Sequence, residues 1–237
     1  MAIRGVLFDW GGTIVRDDSL RQGNPYNAIA SYAAKRLNGA FTADEFERAF
    51  QAALPAYEPG TTVTTPHIDA VIAEAFRRLG VAAGVHDVDA CSRLFYQEIS
   101  AANEVFDDAR ALLASLKYRG YRLGVVTNAI FPSNHFQSRV NELGLAGYFD
   151  SFVSSADVGL SKPNPAPYLR ALGDLKLECE EAIFVGDTAA TDIAGANAVG
   201  MRAVLLERTG RRPDGSDVLV IERLTALSDL LGDGPAL

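Results

Sequence analysis

The chain has 237 residues, with 22 Lys and Arg against 30 Asp and Glu, a formal charge of −8 and a pI near 4.9. That length holds one large domain or a core with a smaller insert, and the acidic balance argues against a nucleic-acid partner, which would need a basic face. A composition of 48% hydrophobic and 22% charged residues is that of a soluble globular protein. No signal-peptide pattern opens the sequence and no apolar run approaches the ~18 residues of a membrane span, so a cytoplasmic protein with no membrane partner is expected. Cys91 and Cys179 have neither metal-site spacing nor the number for a disulfide framework, and are expected to be reduced and structural.

The first predicted element is a strand over 3–8, in which a continuous apolar run follows Arg4 and Gly5, the kind buried on both faces of a sheet. From 15 to 105 the pattern turns helical, with amphipathic stretches at 26–37, 42–53, 68–79 and 87–101. Thr42 followed by Glu45 fits a capping box opening the second. A polar, proline-bearing loop at 54–66 divides this region into two halves. Strand and helix then alternate: helix 107–117, strand 123–126, helix 134–143, strand 151–154, helix 165–172, strand 182–185, helix 192–199, and strands 203–206 and 218–221. Such alternation with right-handed crossovers means a parallel sheet covered by helices on both faces. The expected fold class is α/β: a Rossmann-like parallel-sheet core, residues 1–15 and 106–237, with an all-helical cap, residues 16–105, inserted after the first strand.

Open α/β sheets bind ligands beyond the carboxyl ends of their strands, so the residues after each strand matter most. After the first come Asp9, Trp10, Gly11, Gly12 and Thr13: a carboxylate placed to attack, then glycines that let a ligand approach the backbone. The second strand ends in Thr127 and Asn128, a hydroxyl and an amide able to donate to an anionic oxygen. After the third, Lys162 lies between a short loop and two prolines, Pro163 and Pro165, which restrict where its point charge can go. After the fourth, Asp187 and Asp192 supply hard oxygens suited to Mg²⁺. Each segment has a plainer reading as turn chemistry, a surface lysine or a helix cap; their order is what is specific.

In that order the segments FDWGGT, VVTN, SKPNP and GDTAATD resemble the four motifs of the haloacid dehalogenase-like hydrolases, over the whole chain, with the helical region falling where that family carries a cap. The resemblance implies that Asp9 attacks phosphorus and becomes an aspartyl-phosphate. It makes Thr127, Asn128 and the Gly12 backbone the holders of the phosphoryl oxygens, and Lys162 the neutralising charge. Mg²⁺ is then held by the Asp9 carboxylate, the Gly11 carbonyl and Asp187, with Asp192 helping. The implied partner is a small phosphorylated compound, and the protein a monomer or homodimer.

Gly11 departs from the family's phosphatases, which carry there a second aspartate that protonates the leaving group and activates water. Losing a general acid/base costs ~10²–10⁴-fold. Asp17, Asp18, Glu58 or His67 could replace it, or the substrate could have a good leaving group such as an acyl phosphate. Phosphonoacetaldehyde hydrolases also lack this aspartate but use a cap lysine, and Lys35, the single lysine of the insert, lies too early to match. The 2-haloacid dehalogenases lack it too, without the paired acids that Asp187 and Asp192 preserve here. A binding protein that has kept the pocket and lost turnover is a further alternative. Of the remaining polar residues, His135 is read as a helix-surface or capping residue, and Trp10 and Tyr168 as packing.

Overall fold

The structure is a computed structural model that describes residues 2–16, 24–55, 64–210 and 218–231. β1 (Gly5–Phe8) is entirely buried, and Val6, Leu7 and Phe8 each gain about 1.5–3 kcal/mol from leaving water. It leads through a tight loop into β2 (Val15–Arg16). Four helices follow: α1 (Pro25–Arg36), α2 (Ala43–Ala53), α3 (Ile68–Arg78) and α4 (Val85–Ser100). The chain returns through β3 (Glu104–Val105), which pairs antiparallel with β2. The rest alternates: α5 (Asp107–Tyr118), β4 (Arg122–Thr127), α6 (Ser133–Glu142), β5 (Ser151–Ser154), α7 (Ser155–Val158), α8 (Pro165–Leu175), β6 (Ala182–Gly186), α9 (Ala194–Ala198), β7 (Arg202–Leu206), β8 (Leu219–Ile221) and α10 (Leu227–Leu230).

All six strands of the main sheet run parallel, in the order β5-β4-β1-β6-β7-β8. The predicted α/β class is therefore the one found. β1 is central, with Phe8 level with Val125 of β4 and Val185 of β6. Residues that follow these three strands thus meet at one sheet edge, at the switch in strand order.

The four inserted helices bury an aromatic cluster of Tyr26, Phe46, Phe50, Phe76 and Phe95, with Phe50 and Phe95 stacked at 5.0 Å. This core runs on into the sheet layer, where Tyr96 meets Phe136 at 4.9 Å and Phe95 meets Phe131 at 5.8 Å. The expected capping box at Thr42 and Glu45 is present. Away from the β2–β3 crossing, the insert is fastened a second time: Thr65 N–H donates to Gly159 O (3.0 Å) and Ile68 N–H to Ile130 O (2.8 Å). The Thr65 and Ser161 hydroxyls also pair, at 2.6 Å.

Some elements differ from expectation. The helix expected at 192–199 begins instead with one π-type turn, Ala189–Ile193. Its register is set by side chains: the Asp192 carboxylate accepts the Thr188 N–H (3.0 Å), and the Tyr168 hydroxyl donates to Thr191 O (2.7 Å). His135 is buried rather than on a helix surface, with its ring against Tyr96 and Phe131. Burial holds its pKa below the usual imidazole value. Among the described residues no helix is long and apolar enough to cross a membrane.

Candidate active site

Asp9 sits one residue past β1, and its N–H continues the ladder by donating to Val185 O (2.9 Å). Lys162 reaches it from the loop before α8. Its Nζ donates to Asp9 Oδ1 and to Asp192 Oδ1, both at 2.7 Å. The three residues are almost fully buried, Lys162 4%, Asp9 8% and Asp192 1% exposed. Unpaired ions are not tolerated at such depth, so the lysine between two carboxylates is what lets them stay there.

The balance at Asp9 is nonetheless unfavourable to charge. Burial pushes its pKa up from 3.8 to about 6, Lys162 opposes the rise, and the Asp192 and Asp187 carboxylates add to it. Burial also opposes the charge on Lys162, but its two carboxylate partners overcome this and hold its pKa above the usual lysine value. Its ammonium further lies 5.4 Å from the centre of the Phe184 ring.

Asp187 completes the cluster. It is exposed, at the end of β6, and Asp9, Asp187 and Asp192 each present an oxygen within 4.8 Å of the others. Three hard carboxylate donors crowded together, two of them buried, form a set that fits a divalent cation such as Mg²⁺. Gly12 explains how Asp187 comes so near the loop. It has φ +76°, and a Cβ there would lie 2.0 Å from Asp187 Oδ2. Gly186 is constrained similarly, since its Cβ would fall 2.3 Å from Asp192 Oδ2.

Asp9, Gly11, Gly12, Thr127, Asn128, Lys162, Asp187 and Asp192 all line one cavity of about 720 Å³. The Asn128 side chain, besides lining this cavity, braces the lysine. Its Oδ1 accepts the Lys162 N–H (2.7 Å) and its Nδ2 donates to Lys162 O (3.1 Å), so the amide clamps the lysine's backbone. Of the residues named as substitutes for a missing acid/base, Asp17, Asp18 and Glu58 lie outside the described residues. His67 caps α3 and accepts the Asp69 N–H, away from the cavity wall. Lys35 is exposed on the last turn of α1.

The opposite wall comes from the insert: Tyr96, Ile99, Ser100 and Asn103. Their spacing of three and four residues is one face of a helix, a signal the sequence offered and the reading from strand ends passed over. Trp10 packs its edges on Phe136 and Phe152 beneath this wall.

Residues 3–200 match the family model of the haloacid dehalogenase-like hydrolases. The chain belongs to that family. As a haloacid dehalogenase-like hydrolase it is similar to a glyceraldehyde 3-phosphate phosphatase of Methanopyrus kandleri, 28% identical over 87% of this chain and 84% of that one. It is also similar to a phosphoglycolate phosphatase of Pectobacterium atrosepticum, 30% identical over 86% of this chain and 80% of the relative. Among solved structures, the 2-haloacid dehalogenase of Pseudomonas syringae pv. Tomato DC3000 superposes with a TM-score of 0.73. It is 25% identical, and the match covers 97% of this chain and 98% of that one.

Proposed function

We propose that this hydrolase is a Mg²⁺-dependent phosphatase of a small phosphorylated compound, acting through an aspartyl-phosphate at Asp9. The observation that carries the reading is the buried Asp9–Lys162–Asp192 chain with Asp187 at its open end. The phosphatase relatives support it. In this reading Asp9, Asp187 and the Gly11 carbonyl would hold the ion, with Asp192 helping. When bound, the ion would supply positive charge to the phosphoryl oxygens and offset the repulsion between a dianion and three carboxylates. Asp9 attacks phosphorus as the bond to the leaving group breaks; water then attacks phosphorus, freeing the Asp9 carboxylate and inorganic phosphate. Lys162 neutralises the charge shared by nucleophile and phosphoryl group, and Thr127 donates to its oxygens. The four-helix insert serves as a cap over the cavity.

Among the described residues, the titratable side chains on the cavity wall are Asp9, Tyr96, Lys162, Asp187 and Asp192. With all but Tyr96 engaged in the charge cluster, weakly basic leaving groups are favoured. The test is phosphate release with and without Mg²⁺ across a panel from acyl phosphates to sugar phosphates, against Asp9→Asn. Release that vanishes with chelator and in the variant, and that slows as the leaving group becomes more basic, is expected. Release that is unaffected by Asp9→Asn overturns the reading.

A second reading, removal of halide from a 2-haloacid, is favoured by the structural similarity to a dehalogenase and by Gly11. Halide release without metal, in the absence of any phosphate release, would establish it.

A further inference from the structure

The loop from Asp9 to Val15 is held from outside the cavity by a residue far along the chain. Within the loop, Gly12 N–H donates to Val15 O (2.8 Å), and Ile14 and Val15 N–H both donate to Trp10 O (2.9 and 3.0 Å). The Gly12 and Thr13 carbonyls are taken instead by Arg208, two residues past β7. Its Nη2 donates to Thr13 O at 3.1 Å and its Nε lies 3.4 Å from Gly12 O.

The guanidinium is itself immobilised. It pairs with both Asp108 oxygens, at 3.0 and 3.1 Å, and lies 3.8 Å over the Phe106 ring. Asp108 is fixed in turn by accepting the Leu224 N–H at 2.8 Å. A planar fork held by a carboxylate and an aromatic face loses little freedom when it makes further hydrogen bonds, so it acts as a rigid buttress. Gly12, fastened through its carbonyl, is also the residue packed against Asp187. Phe106 N–H donates to Ile14 O (3.1 Å), joining the same loop to the chain returning from the insert.

We propose that Arg208 is a positioning residue of this active site. It fixes the Asp9–Val15 loop so that the Asp9 carboxylate and the Gly11 carbonyl keep their separation from Asp187, and it does so without lining the cavity. The inference rests on the metal-dependent reading above.

The experiment compares Arg208→Lys, which keeps the charge and loses the fork, and Arg208→Ala with the wild type. The first readout needs no substrate: Mg²⁺ titrations followed by the shift in Tm, where the half-saturating concentration should rise about 10–100-fold in both variants. In turnover, kcat should fall by about the same factor with KM within about twofold. Methylguanidinium should restore part of kcat to the alanine variant. Arg93→Ala, which removes an exposed ion pair with Asp89, should change neither readout. Arg208 variants that bind Mg²⁺ like the wild type overturn the proposal, as does a loss of kcat that follows the fall in Tm and resists the added guanidinium. Should the wild type release phosphate from no compound, the phosphatase reading fails, and the Mg²⁺ titrations still decide the role of Arg208.

Discussion

Replacing Asp9 by Asn should abolish turnover and yet stabilise the metal-free protein near neutral pH. The prediction turns on which of two opposing effects dominates at this carboxylate. Burial and the neighbouring Asp192 and Asp187 disfavour its charge; Lys162 Nζ at 2.7 Å favours it. The net result, a pKa of about 6 against 3.8, says that burial and like charge win. A carboxylate whose pKa is raised by folding adds stability while protonated. That contribution is complete below the unfolded value near 3.8 and is lost as pH rises through about 6. At ~1.4 kcal/mol for each tenfold change, the loss is at most about 3 kcal/mol. Lys162 works the other way, because its raised pKa records stabilisation by two carboxylates, of which the variant keeps only Asp192. The expected net gain is about 1–2 kcal/mol, or about 2–8 °C in Tm for a chain of this size. Melting curves of both proteins in chelator, from about pH 4 to about pH 8, would measure it. The difference should be small at the acid end, widen through pH 6 and then level. A variant no more stable than the wild type at neutral pH, or a gap that grows toward acid, would refute the claim that burial outweighs pairing.

Lys162→Met leaves Asp9 and Asp192 buried without their cation, so melts near neutral pH should show a loss of about 3–5 kcal/mol, smaller at pH 5 where a proton on Asp9 substitutes for the ammonium. Gly12→Ala forces a Cβ to within 2.0 Å of Asp187 Oδ2 at a positive φ. Its backbone strain of about 1–2 kcal/mol should be visible in Tm, and its half-saturating Mg²⁺ should rise at least about tenfold. Asn128→Ala strips both backbone partners from Lys162; steady-state kinetics should show kcat down about 10–100-fold with KM little changed.

The core strands were legible because each is a short apolar run with a chemically distinctive residue at its end. Asp9, Thr127 and Asp187 are therefore assigned to one sheet edge by the sequence alone. The insert was legible from helical periodicity and from the capping box at Thr42. What escaped were elements set by tertiary contact. β2 and β3 are two residues each, too short for any pattern, and the π-type turn before α9 depends on the Tyr168 hydroxyl 23 residues away from Thr191. Asn128 carries the right chemistry for an anion, and only geometry reveals that its amide also clamps the backbone of Lys162. Arg208 stands just past β7, where the rule of inspecting strand ends would have found it had it been carried to the fifth strand. Nothing in composition marks it, because its partners Asp108 and Gly12 are 100 and 196 residues distant.

The pairing of Thr65 and Ile68 with Gly159 and Ile130 bears on traffic through the cavity. A lid attached only at its two crossing strands can swing on them at almost no cost, and its rate is then set by diffusion of the whole body. Here the middle of the insert is also bound to the strip of chain that carries Lys162, three residues after Gly159. If the insert opens as a lid, entry and exit are an activated event, in which these hydrogen bonds must part before the helices can tilt. Such a parting would act on the segment next to the lysine, linking the access route to the electrostatic centre through residues 159–162. Under the proposed function, opening must break the Thr65–Ser161 hydroxyl pair together with the Tyr96–Phe136 and Phe95–Phe131 contacts.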